Sequence, residues 1–176
     1  MGKIVVTEFV SLDGVMEAPG GGEEYKHGGW TFEIERGEEG DKFKFDEVVE
    51  AEAQLLGRRT YEGFADKFNS MPKYVFSNTL ERAEWNNSTI LSGDFATEIA
   101  KLKQDVDGVI LVAGSAQLVQ GLVEHDLLDE LRLMVFPILL GSGKRVFGDH
   151  PEKKPLRLVD SKTVGAGIAL LTYEPA

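Results

Sequence analysis

The chain has 176 residues, 42% hydrophobic and 28% charged, which are the proportions of an ordinary globular domain. Its formal net charge of −11 argues against a general nucleic-acid-binding surface, because phosphate backbones are bound by basic faces. The lack of cysteine excludes disulfides and thiolate chemistry, and three scattered histidines form no ligand-spaced metal cluster.

The N-terminal segment predicts a cytoplasmic protein that begins with a buried strand. The apolar run in MGKIVVTEFV is too short for a signal peptide and is interrupted by Glu8, and nothing in the chain approaches a membrane span. Its β-branched residues predict a strand over Lys3–Val10, which ends at the turn signature SLDG. In the glycine-rich loop that follows, Trp30 and Phe32 are predicted to be core anchors; stacking of His27, Trp30 and Phe32 on a flat heterocycle is the alternative.

The middle of the chain predicts alternating helices and strands. From Asp41 onward, apolar residues recur at helical spacing, which predicts a helix running into a short strand that ends near Gly57. The apolar positions at that spacing are Phe45, Val48, Val49 and Leu56. KYVFSNTL and STILSG predict two further strands. Asp94 is placed to cap a helix, and the apolar face of that helix is formed by Phe95, Ile99 and Leu102.

The C-terminal part predicts the rest of the sheet. GVILVAGS indicates a strand buried on both faces, AQLVQGLVEHDLL a helix, and DELRLMVFPILLGSG a strand ending near Pro137. LRLVDSKTV and IALLTYE predict a closing β-hairpin around GAG. The alternation of strands and helices predicts a single α/β domain over residues 1–176. Its central twisted sheet would be mostly parallel, with an antiparallel C-terminal hairpin and helices on both faces.

Three predicted strand ends carry groups that suit a phosphate ligand. These groups are Arg58, Arg59 and Thr60 after the second strand, Ser77 and Asn78 after the third, and Gly114 and Ser115 after the fifth. Arginine forks and the unpaired amides at a helix start bind anions, and open α/β sheets bind ligands at the carboxyl ends of their strands. Each segment alone also fits ordinary structure: a solvated loop, a polar turn, and a helix cap by Ser115.

With these pieces in collinear order, the chain resembles the dihydrofolate-reductase-like superfamily. It looks closest to the branch containing the reductase domain of the bifunctional riboflavin-biosynthesis deaminase-reductase. The matching pieces are SLDG, LLGRRTYEGF, KYVFSNTL, VAGSAQLVQGLVEHDLLDEL and FPILLGSGKRVF. The chain carries no His/Cys zinc signature of a deaminase, so the resemblance covers only the reductase half.

The resemblance implies NADPH bound across the strand ends of a homodimer. It puts Arg58, Arg59 and Thr60 at the adenosine 2′-phosphate and pyrophosphate, Ser77 and Asn78 near the adenosine phosphate, and Gly114, Ser115 and Ala116 under the pyrophosphate. It also makes Ser11–Gly14 a mobile loop beside the nicotinamide. The chain departs from the family pattern at Ala113, where glycine is common, and at Asn78, where arginine is often found.

Two carboxyl groups are candidates for the proton chemistry. The resemblance implies an acidic residue on the helix before the GR-T segment, and Asp41 is the nearest, on the same helical face as Phe45. Burial would raise the pKa of Asp41 and make it a usable acid, whereas capping of the helix is its favoured alternative role. Asp13, in SLDG, is the second candidate, with turn formation as its alternative role.

The leading hypothesis is an NADPH-dependent reductase that transfers hydride to a small heterocycle. The heterocycle would be dihydrofolate or another pterin, or a ribosylaminopyrimidine similar to 5-amino-6-ribosylaminouracil phosphate. A non-catalytic homodimeric nucleotide-binding protein with the same fold is the alternative from another class, and a nitro- or quinone reductase is a third hypothesis. Neither nucleic acid nor membrane is expected as a partner.

Overall fold

The computed structural model describes residues 1–22, 24–57, 71–81, 87–149 and 152–176. In chain order, its strands are β1 (Lys3–Ser11), β2 (Ala51–Gly57), β3 (Lys73–Phe76), β4 (Ser88–Leu91), β5 (Val109–Ala113), β6 (Glu130–Phe136), β7 (Leu156–Val164) and β8 (Ile168–Pro175). The helices in these ranges are a 3-10 turn (Trp30–Glu33), α1 (Gly37–Glu50), α2 (Phe95–Asp105) and α3 (Ala116–Glu124). None of the described helices is long and apolar enough to cross a membrane.

All eight strands form one sheet, in the order β4-β3-β2-β5-β1-β6-β8-β7. The first six in that order pair in parallel, while β8 runs antiparallel to β6 and β7 antiparallel to β8. The predicted fold class is therefore confirmed, including the antiparallel C-terminal hairpin. Because parallel strands point the same way, the carboxyl ends of β1, β2, β3 and β5 share one edge of the sheet.

The main hydrophobic core lies between the sheet and the pair α2 and α3. Ile4 and Val6 of β1 are fully buried there, against Ile99 of α2 and Leu122 of α3. Asp94 caps α2 as predicted, since its carboxylate accepts a hydrogen bond from the Thr97 amide at 3.0 Å. The apolar face predicted for this helix is confirmed: Ile99 and Leu102 are buried, and Phe95 packs against the same core.

The apolar face predicted for α1 is wrong. Phe45 and Val49 are each 68% exposed and Val48 is 36% exposed, while Leu56 is buried in β2 rather than on a helix. The buried residues of α1 are Gly40 and Glu47.

Partners on the sheet explain why α1 buries a polar face. The Glu47 carboxylate accepts a hydrogen bond from the Thr7 hydroxyl of β1 at 3.0 Å. It also forms an ion pair with Lys44 at 2.6 Å, and Arg132 of β6 lies 3.6 Å from its second oxygen. Because a buried charge is tolerated when it is paired and hydrogen-bonded, these contacts override the apolar pattern of the helix.

Trp30 anchors the loop after β1 in the core. Trp30 is 1% exposed, its indole N–H donates to the Glu17 carbonyl at 2.9 Å, and its ring packs edge-on against Phe136 at 5.4 Å. The predicted core role of Trp30 is confirmed. The same prediction is wrong for Phe32, which is 80% exposed.

Candidate functional site

The carboxyl ends of β2, β3 and β5 lie side by side. Gly57 pairs with Phe76, the residue before Ser77, and Gln54 pairs with Leu111, so the same register brings Gly57 level with Gly114. A hydrogen bond from the Gly57 amide to the Ser115 hydroxyl oxygen, at 3.0 Å, joins two of these strand ends directly.

Of the residues predicted to hold the cofactor, the structure brings together those that follow β3 and β5. Ser77 and Asn78 come directly after β3, and Gly114, Ser115 and Ala116 lead from β5 into the first residue of α3. Arg58, Arg59 and Thr60 directly follow Gly57 in sequence and lie outside the described residues. Their binding roles stay predictions.

The turn between β5 and α3 has an unusual backbone. Gly114 and Ser115 have φ angles of 72° and 61°, so two successive residues lie in the left-handed region. Ser115 occupies the N-cap position of α3, but its hydroxyl makes no capping bond to the helix and accepts from Gly57 instead. The predicted capping role of Ser115 is therefore wrong. The first amides of α3 have no intrahelical acceptors, which leaves this helix start suited to an anion.

Glycine at position 57 is explained by this turn. A Cβ atom added there would lie 3.1 Å from the Ser115 hydroxyl oxygen, which is tighter than an ordinary van der Waals contact. A larger residue at the end of β2 would therefore press directly on the Ser115 side chain and disturb the hydrogen bond between the two strand ends.

Glu8 lies beneath the same turn, and its role was not predicted from the sequence. Its carboxyl group is 4% exposed and accepts a hydrogen bond from the Gly114 amide at 3.0 Å. Burial raises the pKa of Glu8 well above its ordinary value. An acidic residue at an inward position of an otherwise apolar strand was the signal that could have identified it.

Ser77 and Asn78 build the turn at the end of β3. The Ser77 hydroxyl is buried and accepts from the amides of Thr79 at 3.2 Å and Leu80 at 3.0 Å. The exposed Asn78 accepts a hydrogen bond from the Gly93 amide at 2.7 Å and so ties this turn to the segment after β4. These contacts fit the polar-turn alternative, and they also fix the shape of the edge beside Gly57.

The Asp13 carboxylate forms hydrogen bonds that hold the loop after β1. It accepts from the Ser11 hydroxyl at 2.5 Å and from the amides of Leu140 at 3.2 Å and Gly141 at 2.8 Å. These hydrogen bonds, led by that of Ser11, lower the pKa of Asp13 to about 2. An acid with that pKa stays ionised near neutrality and is poorly suited to donate a proton.

The loop predicted to be mobile is held at both ends. Leu12 donates to the Ile138 carbonyl at 3.0 Å, and Met16 donates to the Lys144 carbonyl at 2.8 Å. The Arg145 side chain hydrogen-bonds to the Asp13 carbonyl. Ser11–Gly14 is therefore fastened to the segment after β6 in this conformation.

Asp41 is neither buried nor a helix cap. It is the fifth residue of α1, its side chain is 67% exposed, and the Arg36 guanidinium lies 2.8 Å from its carboxylate. The N-cap position belongs to Arg36, so the predicted capping role is wrong. The predicted burial of Asp41 is also not observed.

Three exposed residues of α1, Asp41, Phe45 and Val48, form a surface that we call the wall. At about 100° per residue, Asp41, Phe45 and Val48 share one side of the helix. The opposite side carries Phe43, whose ring lies 5.9 Å from the Lys162 ammonium of β7. Because Phe43 lies beside β7, the wall is on the side of α1 that faces away from β7.

The sheet order and the ligand-suited strand ends define an α/β protein of the dihydrofolate-reductase-like class. A profile of the family described as "RibD C-terminal domain" matches residues 2–170, and the chain belongs to this family. The resemblance to the superfamily and to this branch is thereby confirmed.

Individual proteins agree with this assignment. The uncharacterized protein YwjB of Bacillus subtilis (strain 168) is 30% identical over 173 residues, covering 96% of this chain and 95% of YwjB. A candidate riboflavin biosynthesis protein of Shewanella sp. PV-4 superposes with a TM-score of 0.84, at 23% identity over 99% of both chains. A dihydrofolate reductase of Enterococcus faecalis, solved with NADP(H), has a TM-score of 0.64 at 15% identity, over 98% of this chain and 96% of that chain.

Proposed function

We propose that this chain is an NADPH-dependent oxidoreductase that transfers hydride to a small heterocycle of the pterin or ribosylaminopyrimidine type. The observation that carries the proposal is the meeting of Gly57, Ser77 and Gly114 at one edge of the sheet. Parallel α/β sheets bind their ligands outside the carboxyl ends of the strands. Membership of the RibD C-terminal domain family supports a reductase of this kind.

The left-handed turn at Gly114 and Ser115 would receive the pyrophosphate, together with the first amides of α3 at Ala116. Arg58 and Arg59 directly follow Gly57 and would supply permanently charged, forked donors to the 2′-phosphate and the pyrophosphate, with Thr60 adding a hydroxyl. Ser77 and Asn78 would border the adenosine phosphate. NADPH supplies the hydride, and the protein orients both reactants.

The wall of α1 would bind the substrate. The exposed ring of Phe45 offers a stacking surface for a flat heterocycle, and Val48 extends its apolar area. Asp41, one turn before Phe45, presents its carboxyl group to the polar edge of such a ring. Since Asp13 is held ionised by three hydrogen bonds, Asp41 is the better of the two candidates for the proton chemistry.

A thermal-shift titration with NADPH and NADH tests the cofactor site. Ligand at about 100 times its dissociation constant is expected to stabilise the protein by roughly 2.7 kcal/mol. Arg59→Ala should remove most of the NADPH effect. The matched control is Arg157→Ala on β7, whose guanidinium pairs with Glu174 at 2.9 Å and is 68% exposed; this variant should respond like the wild type.

A lack of any shift with either cofactor at millimolar concentration would contradict the reductase proposal. If NADPH binds, loss of its near-ultraviolet absorbance in the presence of a panel of pterins and ribosylaminopyrimidines tests turnover. Binding of NADPH with no turnover on that panel would favour the non-catalytic nucleotide-binding alternative.

A further inference from the structure

Glu8 occupies a position where an apolar side chain would be expected. It lies on β1, between β5 and β6, on the same side of the strand as the core residues Val6 and Val10. One carboxyl oxygen accepts from the Gly114 amide at 3.0 Å, and the other is buried with no hydrogen-bond partner among the described residues. Burial of an incompletely bonded carboxyl group is costly, so the hydrogen bond to the Gly114–Ser115 turn is the evident reason for it.

The turn that Glu8 contacts is held from both neighbouring strands. The Glu8 carboxyl group of β1 accepts a hydrogen bond from the Gly114 amide, while the Gly57 amide of β2 donates to the Ser115 hydroxyl oxygen at 3.0 Å. Ser115 has a φ of 61°, a left-handed conformation that is unfavourable for a residue with a side chain. The contacts on both sides of the turn stabilise this left-handed backbone.

We propose that Glu8 is a positioning residue that fixes the Gly114–Ser115 turn in the shape that receives the phosphate groups of the cofactor. This inference rests on the proposed function for the identity of the ligand. The contact between Glu8 and Gly114 is present without it, so the two can be tested separately.

The charge state of Glu8 matters to this role. Burial raises its pKa, and so does the nearby Glu47; the Gly114 amide and the Lys44 ammonium act in the opposite direction. Glu47 and Lys44, both on α1, are the charged side chains that act on Glu8 in the described part of the chain. A neutral carboxyl group still accepts the Gly114 hydrogen bond through its carbonyl oxygen, and it does not repel a phosphate above it.

The amide of Gly114 gives a direct readout in the free protein. In ¹⁵N-labelled wild type, we expect this amide to be protected from hydrogen exchange and its chemical shift to titrate above the ordinary carboxyl range. Glu8→Gln should keep the protection and lose the titration, because glutamine imitates the neutral acid. Glu8→Ala should lose the protection.

Glu130→Gln is the matched control. Glu130 is also a buried carboxylate, but it lies on β6 and is paired with Lys3 and Arg132 rather than with the Gly114–Ser115 turn. This change removes the charge from two ion pairs, yet it should leave the Gly114 amide unchanged in both exchange and titration.

NADPH affinity gives the second readout. Glu8→Ala should weaken NADPH binding by roughly tenfold, the effect of losing one hydrogen bond that orders the turn, whereas Glu8→Gln and Glu130→Gln should bind like the wild type at neutral pH.

Wild-type exchange at Gly114 in Glu8→Ala, or undiminished NADPH affinity in that variant, would overturn the role of Glu8. If Glu8→Ala does not fold, an unaltered Gly114 titration in Glu8→Gln overturns it instead. Failure of the wild type to bind NADPH contradicts the proposed function, while the exchange experiment still decides the contact.

Discussion

At the scale of single residues, Asp13 ties the loop after β1 to the segment after β6. Its carboxylate accepts hydrogen bonds from Ser11, Leu140 and Gly141, two of them donated by residues more than a hundred positions away. Since both segments lie at the edge where the parallel strands end, this one side chain helps to shape the border of the proposed cleft.

Asp13→Ala is expected to lower the free energy of unfolding by roughly 1–3 kcal/mol, because two backbone amides lose a charged acceptor. The pKa of Asp13 is lowered from 3.8 to about 2, so its contribution is present above pH 3.8 and is lost as the pH falls towards 2. Urea denaturation at pH 7 and at low pH measures both effects. The control is Asp107→Ala, whose side chain is 93% exposed and pairs with the N-terminus; equal stabilities of the two variants at pH 7 would contradict this account.

Glu8 has a pH dependence of the opposite sign. Because burial raises its pKa in the folded state, the folded protein binds more protons than the unfolded chain above the ordinary value of 4.5. This residue therefore destabilises the fold increasingly as the pH rises towards its folded-state pKa.

Glu8→Gln should consequently gain stability relative to the wild type between acidic and alkaline pH. Thermal melts across that range measure the difference. A stability difference between Glu8→Gln and the wild type that is constant with pH would show that Glu8 has the same pKa in the folded and unfolded protein, which would contradict the effect of burial.

At the scale of elements, α1 is held to the sheet by a buried polar cluster rather than by an apolar stripe. The cluster consists of Thr7, Lys44, Glu47 and Arg132. Gly40 is the other buried residue of this helix, and a Cβ atom there would lie 2.5 Å from the Cβ atom of Arg36. Phe45, Val48 and Val49 are left exposed, whereas Phe43 packs against the core beside β7.

Glu47→Ala should destabilise the protein by about 3–5 kcal/mol, since it removes the buried counter-charge of Lys44. Asp46→Ala is the matched control on the preceding residue. Its ion pair with Lys42, at 2.5 Å, is solvent-exposed on both sides, so its loss should have little effect. Chemical denaturation compares the two, and similar losses would show that the buried cluster does not hold α1.

The strands could be predicted from the sequence because each is specified locally, by β-branched residues between turn signals. The helix α2 could be predicted equally well, because its cap, Asp94, and its apolar face lie within one short segment. The face of α1 could not be predicted, because the partners of Glu47 lie on β1 and β6. The role of Glu8 was hidden for the same reason: its partner, Gly114, is 106 residues away.

At the scale of the whole molecule, the outer strand β7 is an open edge. Its only neighbour among the described strands is β8, and eight of its nine residues are exposed. Leu156, Leu158 and Val159 contribute apolar surface that is 39%, 50% and 51% exposed. Open edge strands invite pairing with another chain, so we propose β7 as the contact surface of a homodimer.

Leu158→Lys should therefore convert a dimer into a monomer, because it places a charge in the middle of that edge. Light scattering coupled to size-exclusion chromatography measures the mass directly. Leu139→Lys is the control, since Leu139 is 72% exposed and lies in the segment after β6 rather than on β7. A monomeric wild type, or a dimeric Leu158→Lys variant, would contradict this assignment.

The account as a whole requires that neighbouring parallel strands present their carboxyl ends to one dinucleotide. A crystal structure of the protein with NADPH tests this most directly. We expect the pyrophosphate against Gly114 and Ser115 and the 2′-phosphate beside Arg58 and Arg59. Density for the cofactor at any other surface, or its absence at saturating concentration, would contradict the account.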